Sequence, residues 1–293
     1  MRARTRSFGD ALGEGRRALA GSSPSADRDA ELLLLAVSGA SRVALRAYPE
    51  RLLDADALAR FRTLVARRAE GWPVAYLLGR QGFRDLDLTV SPEVLIPRPE
   101  TELLLELALA EPFRRALDLG TGSGALALGL ARGHSRARIT AVERSTGALA
   151  VARGNGERLG LAHIDWRAGD WYAPVAGERF DLIVANPPYI ADSEPEPHQG
   201  DARFEPRAAL IAGPTGLEAL QQVIAGAPAH LLAAGRLLVE HGYRQGAPVR
   251  ALFAAAEFLE ITTHRDLAGH ERVTAGQLAG PRDFDHDRAP QGA

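Results

Sequence analysis

Ala116-Leu117-Asp118-Leu119-Gly120-Thr121-Gly122-Ser123-Gly124 runs directly into Ala125-Leu126-Ala127-Leu128-Gly129-Leu130. The order predicts a short buried strand, a glycine-rich turn and a helix. Glycines let a backbone approach a ligand closely, and a helix N-terminus favours a polar or anionic group. The next apolar run, Arg138-Ile139-Thr140-Ala141-Val142-Glu143, predicts a second strand ending in an acid. An acid about 20 residues beyond such a turn is placed to accept hydrogen bonds from both ribose hydroxyls. Turn, spacing and acid together point to a nucleoside-bearing ligand. The pattern is G-x-G-x-G, without the third spacing of dinucleotide sites. It suits adenosylmethionine better than a pyrophosphate cofactor, because the turn need only hold an amino-acid end.

A second stretch supplies the chemistry. Phe180–Ala185 predicts a buried strand, and Asn186-Pro187-Pro188-Tyr189 closes it. Neither proline donates to a sheet ladder, and each fixes its φ, so the chain after Asn186 is stiff. An Asn side-chain oxygen beside a proline carbonyl makes two acceptors for one planar NH2 group, and Tyr189 offers a flat face. The same tetrapeptide also reads as a strand end with a proline turn. Taken with the glycine turn, it implies methyl transfer to nitrogen. In an open α/β sheet, both features would lie at the carboxyl ends of neighbouring central strands.

Composition narrows the field. The 293 residues make two domains a reasonable expectation and hold no apolar run long enough to cross a bilayer. The Arg-rich start, Arg2 to Arg6, faintly suggests a transit peptide, but Asp10 and Glu14 argue against one. Cysteine is absent, which excludes disulfides, thiolate metal sites and the thiol needed to methylate a pyrimidine ring carbon. Lysine is absent too, so Schiff-base chemistry is excluded. His264, His270 and His286 show no metal spacing, and the expected site is metal-free.

Residues 1–82 carry 14 Arg against 9 acids, about +5, and the remainder 21 Arg against 28 acids, about −7. The basic part has helical spacing around Ala30–Val37 and Ala57–Ala66, stops at Gly39 and Gly71, and shows no strand-like run before Phe83. It predicts a small helical domain with either a plain solvated surface or a face for an acidic or RNA-associated partner. Gly82–Val90 alternates Phe83, Leu86, Leu88 and Val90, predicting a hairpin linker. Beyond it, Ser145 is placed to cap a helix over Thr146–Leu159, and Ile164–Ala168 predicts a strand. That strand leads to Asp170-Trp171, an acid and an indole suited to an adenine. Helices are expected over Leu217–Leu232 and Gln245–Ala256. Strands are expected at Arg236–Glu240 and, as a closing hairpin, at Phe258–Thr263 and Glu271–Ala275. Ile190–Gly213, acidic and proline-rich, is long enough for a lid or a substrate loop.

These residues carry a resemblance over nearly the whole chain. Pro73–Gly79, Leu95–Glu102, Asp118–Gly124, Asn186–Tyr189, Phe204–Leu210, Glu240-His241-Gly242, Arg265–Gly269 and Glu271-Arg272-Val273 resemble the HemK/PrmC family of protein-(glutamine-N5) methyltransferases. The resemblance implies α/β architecture: a Rossmann-like, seven-stranded adenosylmethionine-dependent methyltransferase domain with a small N-terminal helical domain. Its boundaries would be a helical substrate-recognition domain at 1–80, a β-hairpin linker at 81–95, the methyltransferase domain at 96–280 and a disordered tail at 281–293. S-adenosyl-L-methionine would be held by Gly120, Thr121, Gly122, Ser123, Gly124, Glu143, Trp171 and Asn186. The substrate would be held by Asn186, Pro187, Pro188 and Tyr189, with Asn186, Pro187 and Tyr189 serving catalysis. The implied substrate is the glutamine of the Gly-Gly-Gln loop in class I peptide chain release factors. The partner is then a release factor, with no membrane and no direct nucleic-acid substrate, and the chain is expected to be a cytoplasmic monomer. The chain departs from the family at Glu143, where Asp is usual, at Phe204, where Tyr is usual, and through Asp192–Asp201. Two alternatives are an amino-methyltransferase of adenine or guanine in nucleic acid and a non-catalytic nucleoside-binding regulator.

Overall fold

The computed structural model describes residues 5–195 and 199–280; the start of the Arg-rich segment and the expected tail at 281–293 lie outside them. The chain divides into two compact units, one of residues up to Arg80 with Gln199–Phe204, the other of the remainder.

The first unit is built on helices at Phe8–Leu19, Ala26–Ser38, Arg42–Ala47, Ala55–Ala69 and Val74–Leu78. Ser7, Ser41 and Asp54 cap three of them by accepting the N–H of Asp10, Ala44 and Ala57. Phe8, Leu19, Leu33, Leu34 and Phe61 fill the core. Two short strands, Arg6–Ser7 and Leu52–Leu53, pair antiparallel, correcting the expectation of no strand before Phe83. Two residues are too few to show an alternating pattern. The buried guanidinium of Arg68 binds Asp29 and Asp201, each at 2.6 Å, and the carbonyl of Trp72 at 3.0 Å. Trp72 also packs on Phe204. Part of the stretch expected as a lid therefore belongs to the helical unit.

The second unit is a seven-stranded sheet between two layers of helices. In spatial order its strands are Leu259–Arg265, Glu271–Gln277, Leu231–Glu240, Phe180–Ala185, Arg115–Leu119, Arg138–Glu143 and Asp165–Ala168. All neighbours from Leu231–Glu240 to Asp165–Ala168 run parallel, while Glu271–Gln277 is antiparallel to both its neighbours. Period-two alternation sends Leu182 and Val184 to one face, with Leu104, Leu105, Leu126 and Leu130. Ile183 and Ala185 go to the other, with Leu220, Ile224, Val249 and Phe253. Arg80–Phe83 and Leu86–Thr89 form a two-stranded hairpin whose Phe83, Leu86 and Leu88 pack into the first face. Asn155 ties that hairpin to the glycine turn: its Nδ2 donates to the carbonyls of Thr89 and Ser123, and its Oδ1 accepts the Thr89 N–H.

The chain winds outward from Arg115–Leu119 through Arg138–Glu143 to Asp165–Ala168, crosses back to Phe180–Ala185, and winds the other way to Leu231–Glu240, so its direction reverses between Arg115–Leu119 and Phe180–Ala185. That is the topological switch point of an open α/β sheet, where ligands bind beyond the carboxyl ends of the strands. The glycine turn and Asn186 both lie there.

Candidate active site

The glycine turn is held by main chain. Gly120, Gly122 and Gly124 have φ of 71°, 56° and 86°, the region that favours glycine. The N–H groups of Gly120 and Thr121 both donate to the Val142 carbonyl on the next strand. A Cβ added at Gly122 would meet nothing within 4 Å, so this side of the turn is open. Glu143 accepts the N–H of Gly122 at 3.0 Å and of Ser145 at 2.8 Å, joining the turn to the next helix. Ser145 in turn caps Thr146–Arg158 through the Ala148 N–H.

Beneath the turn lies Asp118, fully buried. Its Oδ2 accepts from the Thr121 hydroxyl at 2.6 Å and the Ala127 N–H at 3.1 Å. Burial outweighs these bonds and pushes its carboxyl up to about 7. Trp171 packs near Gly120 with a φ of 42°, a conformation that costs a bulky residue about 1–3 kcal/mol and is found mostly at functional sites.

Asn186 is oriented by side chains. Its Nδ2 donates to Thr101 Oγ1 at 3.0 Å, and the Thr101 hydroxyl donates to Glu240 Oε2 at 2.7 Å. Tyr189 donates its hydroxyl to Glu240 Oε1 at 3.3 Å. Thr101 comes from the first turn of the helix Pro99–Leu109, which Pro99 starts without a wasted N–H. Glu240 ends Leu231–Glu240, whose Val239 pairs with Ala185, so the acid stands beside Asn186. Burial pushes Glu240 up to about 7, against the Thr101 bond and the nearby Arg272 charge.

A cavity of about 520 Å³ joins turn and clamp. It is lined by Gly120, Thr121, Gly122, Ser123, Glu143, Asp170, Trp171, Asn186, Pro187 and Pro188 among others. Nearly all the sequence-predicted residues are thus brought together. Gly124 sits one step back, packed near Leu128 and Trp166. Tyr189 is the exception: it stands behind the clamp, its ring against the core of the second face and its hydroxyl on Glu240. The cavity lining does not include Tyr189, and its hydroxyl is given to the buried carboxylate. Sequence reasoning gave no role to Asp118, Thr101 or Glu240. The available signal was an acid inside or ending an apolar strand, since a buried carboxylate needs partners. Among the described residues no group of three or more His, Asp or Glu is placed to hold a metal ion, and no helix is long and apolar enough to cross a membrane.

The sheet, its switch point and this cavity define a Rossmann-like methyltransferase with a helical N-terminal unit. Residues 99–205 match the methyltransferase small domain, and residues 10–79 match the PrmC N-terminal domain. The release factor glutamine methyltransferase of Pseudomonas aeruginosa is 51% identical over 260 residues, 88% of this chain and 94% of its own length. That of Escherichia coli K12 is 42% identical over 258 residues, 87% and 93% of the two chains. The chain belongs to the release factor glutamine methyltransferase family. At the level of fold alone, a methyltransferase from Pyrococcus furiosus is similar with a TM-score of 0.52 and 19% identity, over 73% of this chain and 98% of that one.

Proposed function

We infer that this enzyme transfers a methyl group from S-adenosylmethionine to the side-chain amide nitrogen of glutamine in the Gly-Gly-Gln loop of class I release factors. Family membership supports the reaction, and one observation carries its chemistry: the Asn186 amide has its Nδ2 committed to Thr101. Its Oδ1 is then the end left to accept from a substrate in the cavity.

The residues present fit adenosylmethionine. The turn at Gly120–Gly124 is open at Gly122 and leads into a helix N-terminus, which suits the amino-acid end. Each Glu143 oxygen takes one main-chain N–H and keeps lone-pair capacity for a ribose hydroxyl. Asp170 and Trp171 line the cavity where the adenine would rest. Bound there, the cofactor supplies an electrophilic methyl group on a positively charged sulfur.

An amide nitrogen is a poor nucleophile because its lone pair is delocalised into the carbonyl. Asn186 Oδ1 and the Pro187 carbonyl accept its two N–H groups, hold its plane and raise its electron density. Both bonds strengthen as positive charge develops on nitrogen, so they favour the transition state over the ground state. Stiff prolines keep the two acceptors in place, so orientation supplies much of the remaining acceleration. After transfer the nitrogen is strongly acidic and loses its proton to water, which makes a general base unnecessary.

We further assign residues 1–80 to recognition of the release factor's body, the methyltransferase part to chemistry, and the working state to a cytoplasmic monomer. Removing residues 1–80 should leave adenosylmethionine affinity intact and raise KM for whole release factor; an unchanged KM in a folded truncation counts against this. The direct test of function is mass spectrometry of release factor incubated with enzyme and methyl-labelled cofactor. One methyl on the Gly-Gly-Gln glutamine is expected. Label in DNA or ribosomal RNA, with none in release factor, would contradict the reading.

A further inference from the structure

Two buried polar residues, Thr101 at the cavity wall and Glu240 behind it, are given no role in cofactor binding or transfer above, yet Thr101 bonds Asn186 and Glu240 bonds Thr101. A hydroxyl has one proton to give. Thr101 gives it to Glu240 Oε2, so its bond with the Asn186 amide at 3.0 Å is one it accepts. The amide must therefore present its NH2 to Thr101. We propose that Glu240, acting through Thr101, is the positioning residue that sets the polarity of the Asn186 amide, turning Oδ1 toward the substrate nitrogen. The proposal rests on the methyl-transfer reading above and assigns what holds the clamp in its working orientation. With the amide turned over, its NH2 would meet the substrate NH2, donor against donor, and transfer would lose one of its two acceptors.

The surroundings of Glu240 suit this task. The Tyr189 hydroxyl donates to its other oxygen, so the ionised carboxylate accepts from both sides and donates to neither. Arg272 faces it from the neighbouring strand, and Glu100 from the first turn of the helix that carries Thr101. Arg272 is oriented by Asp266, at 3.0 Å, which also accepts the N–H groups of Ala268 and His270. The family-like segments around Thr101, Glu240 and Arg272 thus converge on one amide.

The chain has two asparagines, Asn155 and Asn186. Selective ¹⁵N-asparagine labelling of the full-length protein therefore gives two side-chain amides by NMR. Asn155, with its amide bonded to Thr89 and Ser123, is an internal control for the fold. At pH 8, Thr101→Val should move the Asn186 side-chain signals and leave those of Asn155 in place. It should also lower single-turnover methyl transfer to whole release factor by about 10–100-fold, the scale for a transition-state hydrogen bond left unheld, with adenosylmethionine affinity nearly unchanged. Thr101→Ser, which keeps the hydroxyl, should restore both signals and rate. Glu240→Gln, which offers an acceptor to only one of the two hydroxyls, should fall between wild type and Thr101→Val. Unmoved Asn186 signals in Thr101→Val would overturn the proposal, and so would moved signals with a wild-type rate. If the wild-type enzyme labels no release factor while Thr101→Val still moves the Asn186 signals, the substrate reading fails and the amide polarity stands.

Discussion

The cradle at Gly120–Gly124 and the clamp at Asn186–Tyr189 end neighbouring parallel strands, yet they are held in opposite ways. The cradle is main chain bound to main chain: glycines at positive φ, N–H groups on the Val142 carbonyl, and one acid, Glu143, closing it from the next strand. The clamp is side chain bound to side chain, through Thr101, Glu240 and Tyr189. A buried carboxylate lies under each, Asp118 beneath the cradle and Glu240 behind the clamp. Main-chain scaffolding tolerates most side-chain changes but not a change in backbone conformation. A side-chain relay keeps its backbone and fails when a single atom type is altered. Substitutions in the two regions should accordingly fail in different measurements.

The largest effect is expected at the clamp. Asn186→Ala should slow single-turnover methyl transfer by ~10²-fold or more, as for the loss of a preorganised transition-state acceptor. Cofactor affinity should change less than the rate. A rate within a few-fold of wild type would remove Asn186 from the chemistry. Next is the acid of the cradle. Glu143→Ala should weaken adenosylmethionine binding by ~1.5–3 kcal/mol, roughly ten- to a hundredfold, through lost hydrogen bonds to a charged group. Calorimetry with unchanged affinity would mean that Glu143 serves only the turn.

Gly122→Ala sharpens the contrast, because a Cβ there meets no neighbour and only the backbone is strained. Denaturant unfolding should show a loss of about 1–2 kcal/mol, the cost of the left-handed conformation for a residue with a Cβ. No loss would mean that the turn relaxes freely.

The smallest effect is in pH. Asp118 and Glu240 both have folded-state values raised to about 7. Between the ordinary carboxylate range and about 7 the folded chain therefore binds more protons than the unfolded chain. Their contribution to stability is full below the ordinary range and is lost as pH rises through about 7. Raising pH from 6 to 8 should cost about 1 kcal/mol from Asp118 alone, and Asp118→Asn should flatten that slope. An equal slope in the variant would show that Asp118 is not the group titrating.

The same contrast explains what could be read from sequence. The cradle is local: strand, glycines, helix and Glu143 lie within one short span, and Ser145 caps the helix that its type predicts. The Asn186–Tyr189 acceptors are local too. What holds them is not. Thr101 lies 85 residues from Asn186, and Tyr189 lies 51 from Glu240. They meet only because Leu231–Glu240 lies beside Phe180–Ala185 in the sheet order, which no period along the chain reveals. The Tyr189–Glu240 bond is hidden from the sequence for the same reason, since Glu240 ends a strand far along the chain. Residues 199–204 belong to the helical unit through Arg68 and Trp72, again by long-range pairing.

The separation of holding from reacting is the central claim. The most direct measurement is single-turnover methyl transfer at saturating adenosylmethionine for Glu143→Ala and Asn186→Ala, with calorimetric cofactor affinities on the same preparations. Glu143→Ala should lose affinity and, once saturated, keep a rate near wild type, while Asn186→Ala should keep most of its affinity and lose the rate. Both variants losing affinity and rate together would contradict it.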